Sequence, residues 1–361
     1  MLADGTVEAF RLQARFCTEF GSPLYAEFLA RAADDIEAGG PFATLLNGWQ
    51  GLPMPDALAL RLLGAVHRMV FDGSAPQLAR FYPSTGGTPR WPDAWEALHA
   101  IVADRAAELR PALDRHVQTN EVRRSAALLG GFLAVAGTPR LPLRLLEIGC
   151  SAGLNLCWDR YRYELATCEP DTPPALDAPF TSRWGAADAS MVVRCGWHGS
   201  DAILAGSAQV ASRAGCDLAP IDLTDPAQAR TLESFVWPDQ VQRQAQLRAA
   251  IAAVRSDPPH LTRHAAADWL AEQLAGRANG VATIVFHSIT WWYLSEDERR
   301  RVTATIAAAG TRATREAPLA CLRLEILGAP QAELRLTQWP DGAEHTLGRA
   351  DPHGRWVTWL A

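Results

Sequence analysis

The chain has 361 residues, a formal net charge of -6, 48% hydrophobic residues and 20% charged residues. That balance excludes a disordered or low-complexity chain, and an acidic surface disfavours general binding to a phosphate backbone. The start, MLADGTVEAFRLQ, carries acids early and has no apolar core, so no signal peptide is read there. Residues up to 137 then read as helices. Ser22-Pro23 looks like an N-cap with proline at the first helical position, and PLYAEFLARAADDIEAGG runs to glycines. Pro55 opens DALALRLLGAVHRMVF, in which Leu58, Leu62, Ala65, Val66 and Met69 share one face at helical spacing. Pro92 opens DAWEALHAIVADRAAELR, and Pro111 opens a long helical run through HVQTNEVRRSAALLGGFLAVAG.

The longest apolar stretch, Ala126 to Gly137, is too short for a bilayer and ends at Thr138-Pro139-Arg140. The seven cysteines are scattered, with no C-x-x-C pair, so neither a zinc site nor a disulfide framework is expected. These features predict a soluble cytoplasmic protein with no membrane or nucleic-acid partner. They leave the oligomeric state open.

The pattern changes at Pro142. LRLLEI is a short apolar run ending at glycine, as a buried parallel strand does. Ala152 to Arg160 reads as the helix after it, and 161–212 as an irregular insertion with a hairpin around MVVRCGWHGSDAIL. RAGCDLAPI holds a strand, PDQVQRQAQLRAAIAAVRSD a helix, and HLTRHAAADWLAEQLAG a weak strand and a helix. VATIVFHSI is a strong strand. SEDERRRVTATIAAAG is a helix capped by Ser295, and LACLRLEIL, AELRLTQWP and GRWVTWL supply late strands. Alternating strands and helices predict a doubly wound α/β sheet over 138–361 behind an all-helical domain over 1–137.

The stretch LLEIGCSAGLNL supports two chemistries. Glu147-x-Gly149-x-Ser151-x-Gly153 has the form of a nucleotide-binding turn, and Gly149-x-Ser151-x-Gly153 that of the nucleophile elbow of an α/β-hydrolase. The elbow needs strands before it, whereas about 140 residues of helix precede this one. Completing a triad on Ser151 would take Asp225 or Asp268 with His287 or His353. The turn reading needs the motif on the first strand and an acid at the end of a later one, and both are present. Gly149 and Gly153 permit unusual dihedrals and close approach, Ser151 stands where a third glycine is usual, and Glu147 closes the strand. A plain βα turn remains the bland alternative.

Across about 141–361 the sequence resembles class I S-adenosylmethionine-dependent methyltransferases. RAGCDLAP resembles their second-strand motif, which implies that Asp217 holds the ribose hydroxyls. HAAADWL resembles the third, implying Asp268 near the adenine amino group, and ATIVFHSITWWYLSEDER the fourth, implying His287, Ser288 and Ile289 at the transfer pocket. The implied cofactor is S-adenosylmethionine, held by Glu147, Gly149, Ser151, Gly153, Asn155, Asp217, Asp268 and Ser288. The whole chain also resembles the bacterial family catalogued as domain of unknown function 2332, through GSPLYAEFLARAADD, LARFYPS, QTNEVRRSAALL, LLEIGCSAGLNL, DLAPIDLTDP and FVWPDQVQR. Two departures stand out. The gap from Gly153 to Asp217 is long, so either 161–212 is an insertion or the acid is Asp159 or Glu164. The fourth motif also lacks the Asn/Asp-Pro-Pro-aromatic run, which argues against DNA adenine or protein glutamine substrates.

The expected activity is therefore methyl transfer to a small molecule, with His287 as the base. The helical domain caps the site, and Asn120, Glu121, Arg124, Trp237, Trp291 and Trp292 wall the substrate or form the lid. The alternative is an inactive, methyltransferase-like binding or regulatory protein. Asp239 reads as an acid at a helix start, and His260, His264 and Asp268 as one helix face too poor in ligands for a metal.

Overall fold

The computed structural model describes residues 2–137, 140–175, 177–276, 279–328 and 330–361. The break expected at Thr138-Pro139 lies outside them. The chain forms two compact units, Met1–Thr119 with Asp225–Arg248, and Asn120–Thr224 with Ala249–Ala361. The division thus falls at 119 rather than 137, and residues 225–248 belong with the first helices.

The first unit holds helices α1 (Thr6–Glu19), α2 (Pro23–Glu37), α3 (Pro41–Leu46), α4 (Leu58–Phe71), α5 (Pro76–Ala79), α6 (Asp93–Asp104) and α7 (Ala106–Leu109). Proline opens α2, α3 and α5, where a missing N–H costs nothing. The apolar faces close on one core that includes Phe10, Phe28, Phe42, Leu62 and Val66. Each such side chain contributes about 1.5–3 kcal/mol by leaving water. Later in the chain come α9 (Pro226–Ser234) and α10 (Val241–Val254), and Phe235 packs on Gly64 of α4, where a Cβ would sit 2.6 Å from its ring.

Two expectations change here. Asp239 does not serve the helix it precedes. Its carboxylate accepts from Ser22 Oγ at 2.6 Å and from Leu24 N at 3.0 Å, so it caps α2 from 215 residues away. The helix expected from Pro111 stops as a 3-10 turn over Arg110–Asp114, and the chain stays non-helical to Arg123 before α8 (Arg124–Gly137). Asn120 and Glu121 of QTNEVRR therefore sit in a loop that bonds to the neighbouring strand turn, and Arg124 opens α8.

The second unit is a mixed α/β body built on one eleven-stranded sheet. Its strands are β1 (Leu143–Ile148), β2 (Arg162–Thr167), β3 (Phe180–Trp184), β4 (Val192–His198), β5 (Val210–Asp217), β6 (His260–Arg263), β7 (Ala282–Ser288), β8 (Leu319–Ile326), β9 (Ala332–Trp339), β10 (Ala343–Ala350) and β11 (Trp356–Trp359). Their order is β3-β2-β4-β11-β10-β9-β8-β7-β1-β5-β6. β6, β5, β1, β7 and β8 run parallel, and β9 and β10 return antiparallel. The segment 161–212 is not a loose insertion. β2 and β4 extend the sheet in parallel from β11, and β4 pairs with β2 and β11 rather than folding into a hairpin with DAIL, which is a 3-10 turn.

Helices cover both faces near β1. Phe132 of α8 meets the ring of Phe286 edge-on at 5.1 Å, and Gly131 lies against Leu322. On the other face α11 (Ala266–Gln273) and α12 (Glu296–Gly310) pack through Trp269, Leu270, Val302 and Ile306 onto Leu146, Val285 and Cys321. Ser295 caps α12 by accepting from Glu298 N at 3.1 Å. Among the described residues no helix is long and apolar enough to cross a membrane.

Candidate functional site

β1 is where the strand order reverses, with β5 on one side and β7 on the other. In parallel α/β sheets the crevice at such a point, beyond the carboxyl ends, is the place for a ligand. Besides Arg263 at the end of the outer strand β6, four ionisable side chains concern the site: Glu147 on β1, Asp217 on β5, His287 on β7 and Glu325 on β8.

Pleating separates them into two pairs. Glu147 is in register with Gly215 and Phe286, and Phe286 faces α8, so Glu147 and Asp217 belong to the α8 face. His287 alternates with Phe286 and faces the α11–α12 layer, together with Glu325. The structure therefore does not join His287 to Glu147 and Asp217.

The turn after β1 is tight. Gly149 has φ 64°, Ser151 φ 51° and Gly153 φ 69°. The spaces beside the glycines are filled by the protein itself. A Cβ on Gly149 would fall on Thr290 Oγ1, and one on Gly153 would lie 2.6 Å from Pro259 Cγ. A side chain at either position would therefore collide with the protein's own atoms. Asp217 braces the turn by accepting from Ser151 N at 2.9 Å and from Ala219 N at 2.9 Å. No helix follows. Asn155–Arg160 is a 3-10 stretch with a kink at Cys157, because the chain turns at once into β2. Asn120 takes Leu154 N at 2.8 Å, and the Glu121 carbonyl accepts from Asn155 Nδ2 at 3.5 Å. Arg124 donates to Ser288 O at 3.1 Å and Pro352 O at 2.9 Å. Asn120, Glu121 and Arg124, expected to form a lid, thus hold the turn and its neighbouring strand end.

Three polar atoms on this turn and strand end are buried without a hydrogen-bond partner among the described residues: Glu147 Oε2, Ser151 Oγ and Asn155 Oδ1. Buried polar groups are nearly always satisfied, so such a cluster calls for an external partner. Burial, with Asp217 adding to it and Arg124 opposing, holds the Glu147 carboxyl well above the usual carboxylate range. Ser151 is an L-residue in a left-handed conformation with an unmatched hydroxyl. Ser151→Gly is therefore expected to stabilise the fold by about 1 kcal/mol in urea unfolding. A loss of stability would show that the hydroxyl is in fact bonded.

The other face has its own constellation. His287 Nδ1 lies 2.6 Å from Glu325 Oε1, and Glu325 also accepts from Thr290 N at 3.1 Å and Trp291 N at 3.3 Å. A carboxylate accepts only, so Nδ1 carries the ring proton. Trp291 stacks on the imidazole at 4.9 Å, and Ile289 between them has φ 51°, unusual for a β-branched residue. Glu325 and Thr290 escaped the sequence reading. The one available signal was a lone acid inside the apolar run LACLRLEIL.

Other expected residues lie elsewhere. Asp268 is exposed in the first turn of α11 and pairs with Arg301, away from the turn. Trp237 belongs to the helical unit's core, 6.5 Å from the ring of Tyr25. Trp292 and Tyr293 are exposed. His260 is on β6, so it shares no helix face with His264 and Asp268, and no group of three metal-binding side chains forms among the described residues. Asp159 is committed to Arg213, and Glu164 to Arg162 and Arg194, which leaves Asp217 as the strand-end acid beside the turn. Leu218, directly after it, is 68% exposed. The hydrolase triad does not assemble. Ser151 Oγ and His287 Nε2 each lack a partner, so they are not bonded to one another, and Asp225 is a surface cap on α9.

Fold and site define a mixed α/β protein with a large central sheet, N-terminal helices and a polar turn at the strand reversal. Residues 7–359 match a family described as an uncharacterized protein conserved in bacteria, domain of unknown function 2332, and the chain belongs to that family. No curated protein and no solved structure matches it.

Proposed function

We propose that the chain is a methyltransferase-type protein that binds S-adenosylmethionine at the 149–153 turn and transfers its methyl group to a small molecule. The observation that carries this reading is the cluster of unpartnered buried atoms, Glu147 Oε2, Ser151 Oγ and Asn155 Oδ1, at the reversal of strand order. The order β6-β5-β1-β7-β8 with an antiparallel β9 supports a doubly wound, Rossmann-like sheet. These residues fit the cofactor's polar ends. Asp217, partly exposed at the end of β5, presents a carboxylate of the kind that accepts from ribose hydroxyls. Leu218 offers an apolar surface for a base, and Glu147 with Ser151 and Asn155 offers polar atoms for an amino-acid tail. When bound, the cofactor would supply an activated methyl group on a sulfonium. The chain's own residues would position and desolvate it.

A second reading, a binding protein of the same fold without turnover, is favoured by the placement of His287 on the opposite face, clamped by Glu325. Calorimetric titration with S-adenosylhomocysteine tests the shared part. Saturable binding is expected, weakened about 10–100-fold in Asp217→Ala through the loss of charge-assisted hydrogen bonds. Absence of heat with both S-adenosylmethionine and S-adenosylhomocysteine would end the cofactor reading. Binding without methylated product across substrate pools would favour the second.

A further inference from the structure

Glu147 is 2% exposed, and its Oε2 meets no donor among the described residues. Among the described residues, the ionisable groups around it are Asp217 and Cys216 from β5, Cys150 from the turn and Arg124 from α8. Only Arg124 is cationic, and its guanidinium is held by the Ser288 and Pro352 carbonyls. Asp217 already receives two backbone N–H groups, contacts suited to an anion. A second anion beside it, dry and lacking a donor at one oxygen, is the costly state, and the neutral acid the cheap one. An ammonium group reverses that balance, because it brings N–H donors and a positive charge together.

We propose that Glu147 stands as a neutral acid in the free protein and releases its proton when a ligand carrying an ammonium group binds at the 149–153 turn. This rests on the cofactor-site reading above and adds the charge class of the ligand and its coupling to pH. In the step itself the O–H bond of Glu147 breaks, its electron pair stays on the carboxylate oxygen, the proton passes to buffer, and the carboxylate pairs with the ammonium. Burial and Asp217 raise the Glu147 carboxyl well above its usual range in the free chain, in the same direction as its dry surroundings and donorless Oε2. Linkage then fixes the sign: affinity rises with pH as long as free Glu147 is protonated, and levels off once it is not.

The test is calorimetry of the full chain with S-adenosylhomocysteine, which has the ammonium, and with methylthioadenosine, which lacks the amino-acid tail. Each titration is run in two buffers of different ionisation heat. About one proton released per S-adenosylhomocysteine is expected, with affinity rising roughly tenfold per pH unit. No release is expected with methylthioadenosine or in Glu147→Gln. Buffer-independent heat with S-adenosylhomocysteine would overturn the proposal while leaving the cofactor site intact. Equal release with methylthioadenosine, or release persisting in Glu147→Gln, would also overturn it. No binding of either nucleoside, with S-adenosylmethionine also silent, would instead remove the cofactor reading on which it rests. The pH dependence of the unsubstituted chain gives the answer even if the variant folds poorly.

Discussion

Replacing Glu325 by alanine is expected to destabilise the protein by about 2–5 kcal/mol, since each buried donor left without its acceptor costs about 1–3 kcal/mol. Glu325 is 5% exposed and serves three donors at once: His287 Nδ1, Thr290 N and Trp291 N. Its loss would strand all three at a turn that already carries Ile289 at φ 51°, a strained arrangement that persists only where the surroundings over-determine it. Trp291 should lose its stacked position on the imidazole as the turn relaxes, giving a fluorescence change that accompanies the stability loss. Glu325→Gln keeps one acceptor oxygen in place and should cost clearly less. Urea unfolding of both variants, with slopes compared to exclude a change in denatured-state compactness, measures the difference. A loss below about 1 kcal/mol for the alanine variant would show that the turn is held by other contacts and that Glu325 is an ordinary strand-end acid.

Much of the sheet could be read from local pattern. LRLLEI and VATIVFHSI are apolar because β1 and β7 are covered on both faces, and continuous burial leaves an unmistakable trace in sequence. Ser295 with three acids behind it marked α12 for the same local reason. The strands within 161–212 left no such trace. β3 is half exposed at the sheet edge, β4 alternates only briefly, and prolines separate β2 from β3, so the segment reads as loop until its distant partners are known. Side-chain partnerships were the least legible feature. Nothing near Asp239 points to Ser22, nothing near Asp268 to Arg301, and nothing near His287 to Glu325, because tertiary contact, not spacing, selects each pair. The glycine turn was found for a reason that proved incomplete. Positive φ does demand Gly149 and Gly153, yet the room they leave is taken by Thr290 and Pro259. The face on which a strand-end residue falls follows from register, which is why Glu147 and His287 could be paired on paper and are divided in the fold.

That same turn carries the second large effect. Gly149→Val is expected to cost about 2–5 kcal/mol and to abolish nucleoside binding. Two independent terms add. The first is conformational: at φ 64° an L-residue sacrifices about 1–2 kcal/mol, and a β-branched one more. The second is steric: the new Cβ would fall on Thr290 Oγ1, with Thr290 Cβ at 2.9 Å and Cγ2 at 3.1 Å, an overpacking worth about 1–3 kcal/mol. A double-mutant cycle separates them. Adding Thr290→Gly should relieve the steric part of the Gly149→Val penalty and leave the conformational part untouched. The double variant should therefore be less destabilised than the sum of the two single ones. Strict additivity would mean that Thr290 does not press on Gly149 and that the glycine is needed for its dihedral alone. A Gly149→Val protein that kept full stability and bound S-adenosylhomocysteine normally would show that the turn can be rebuilt without its left-handed residue. The arrangement of Ser151, Asn155 and Glu147 around it would then lose its claim to be a shaped site.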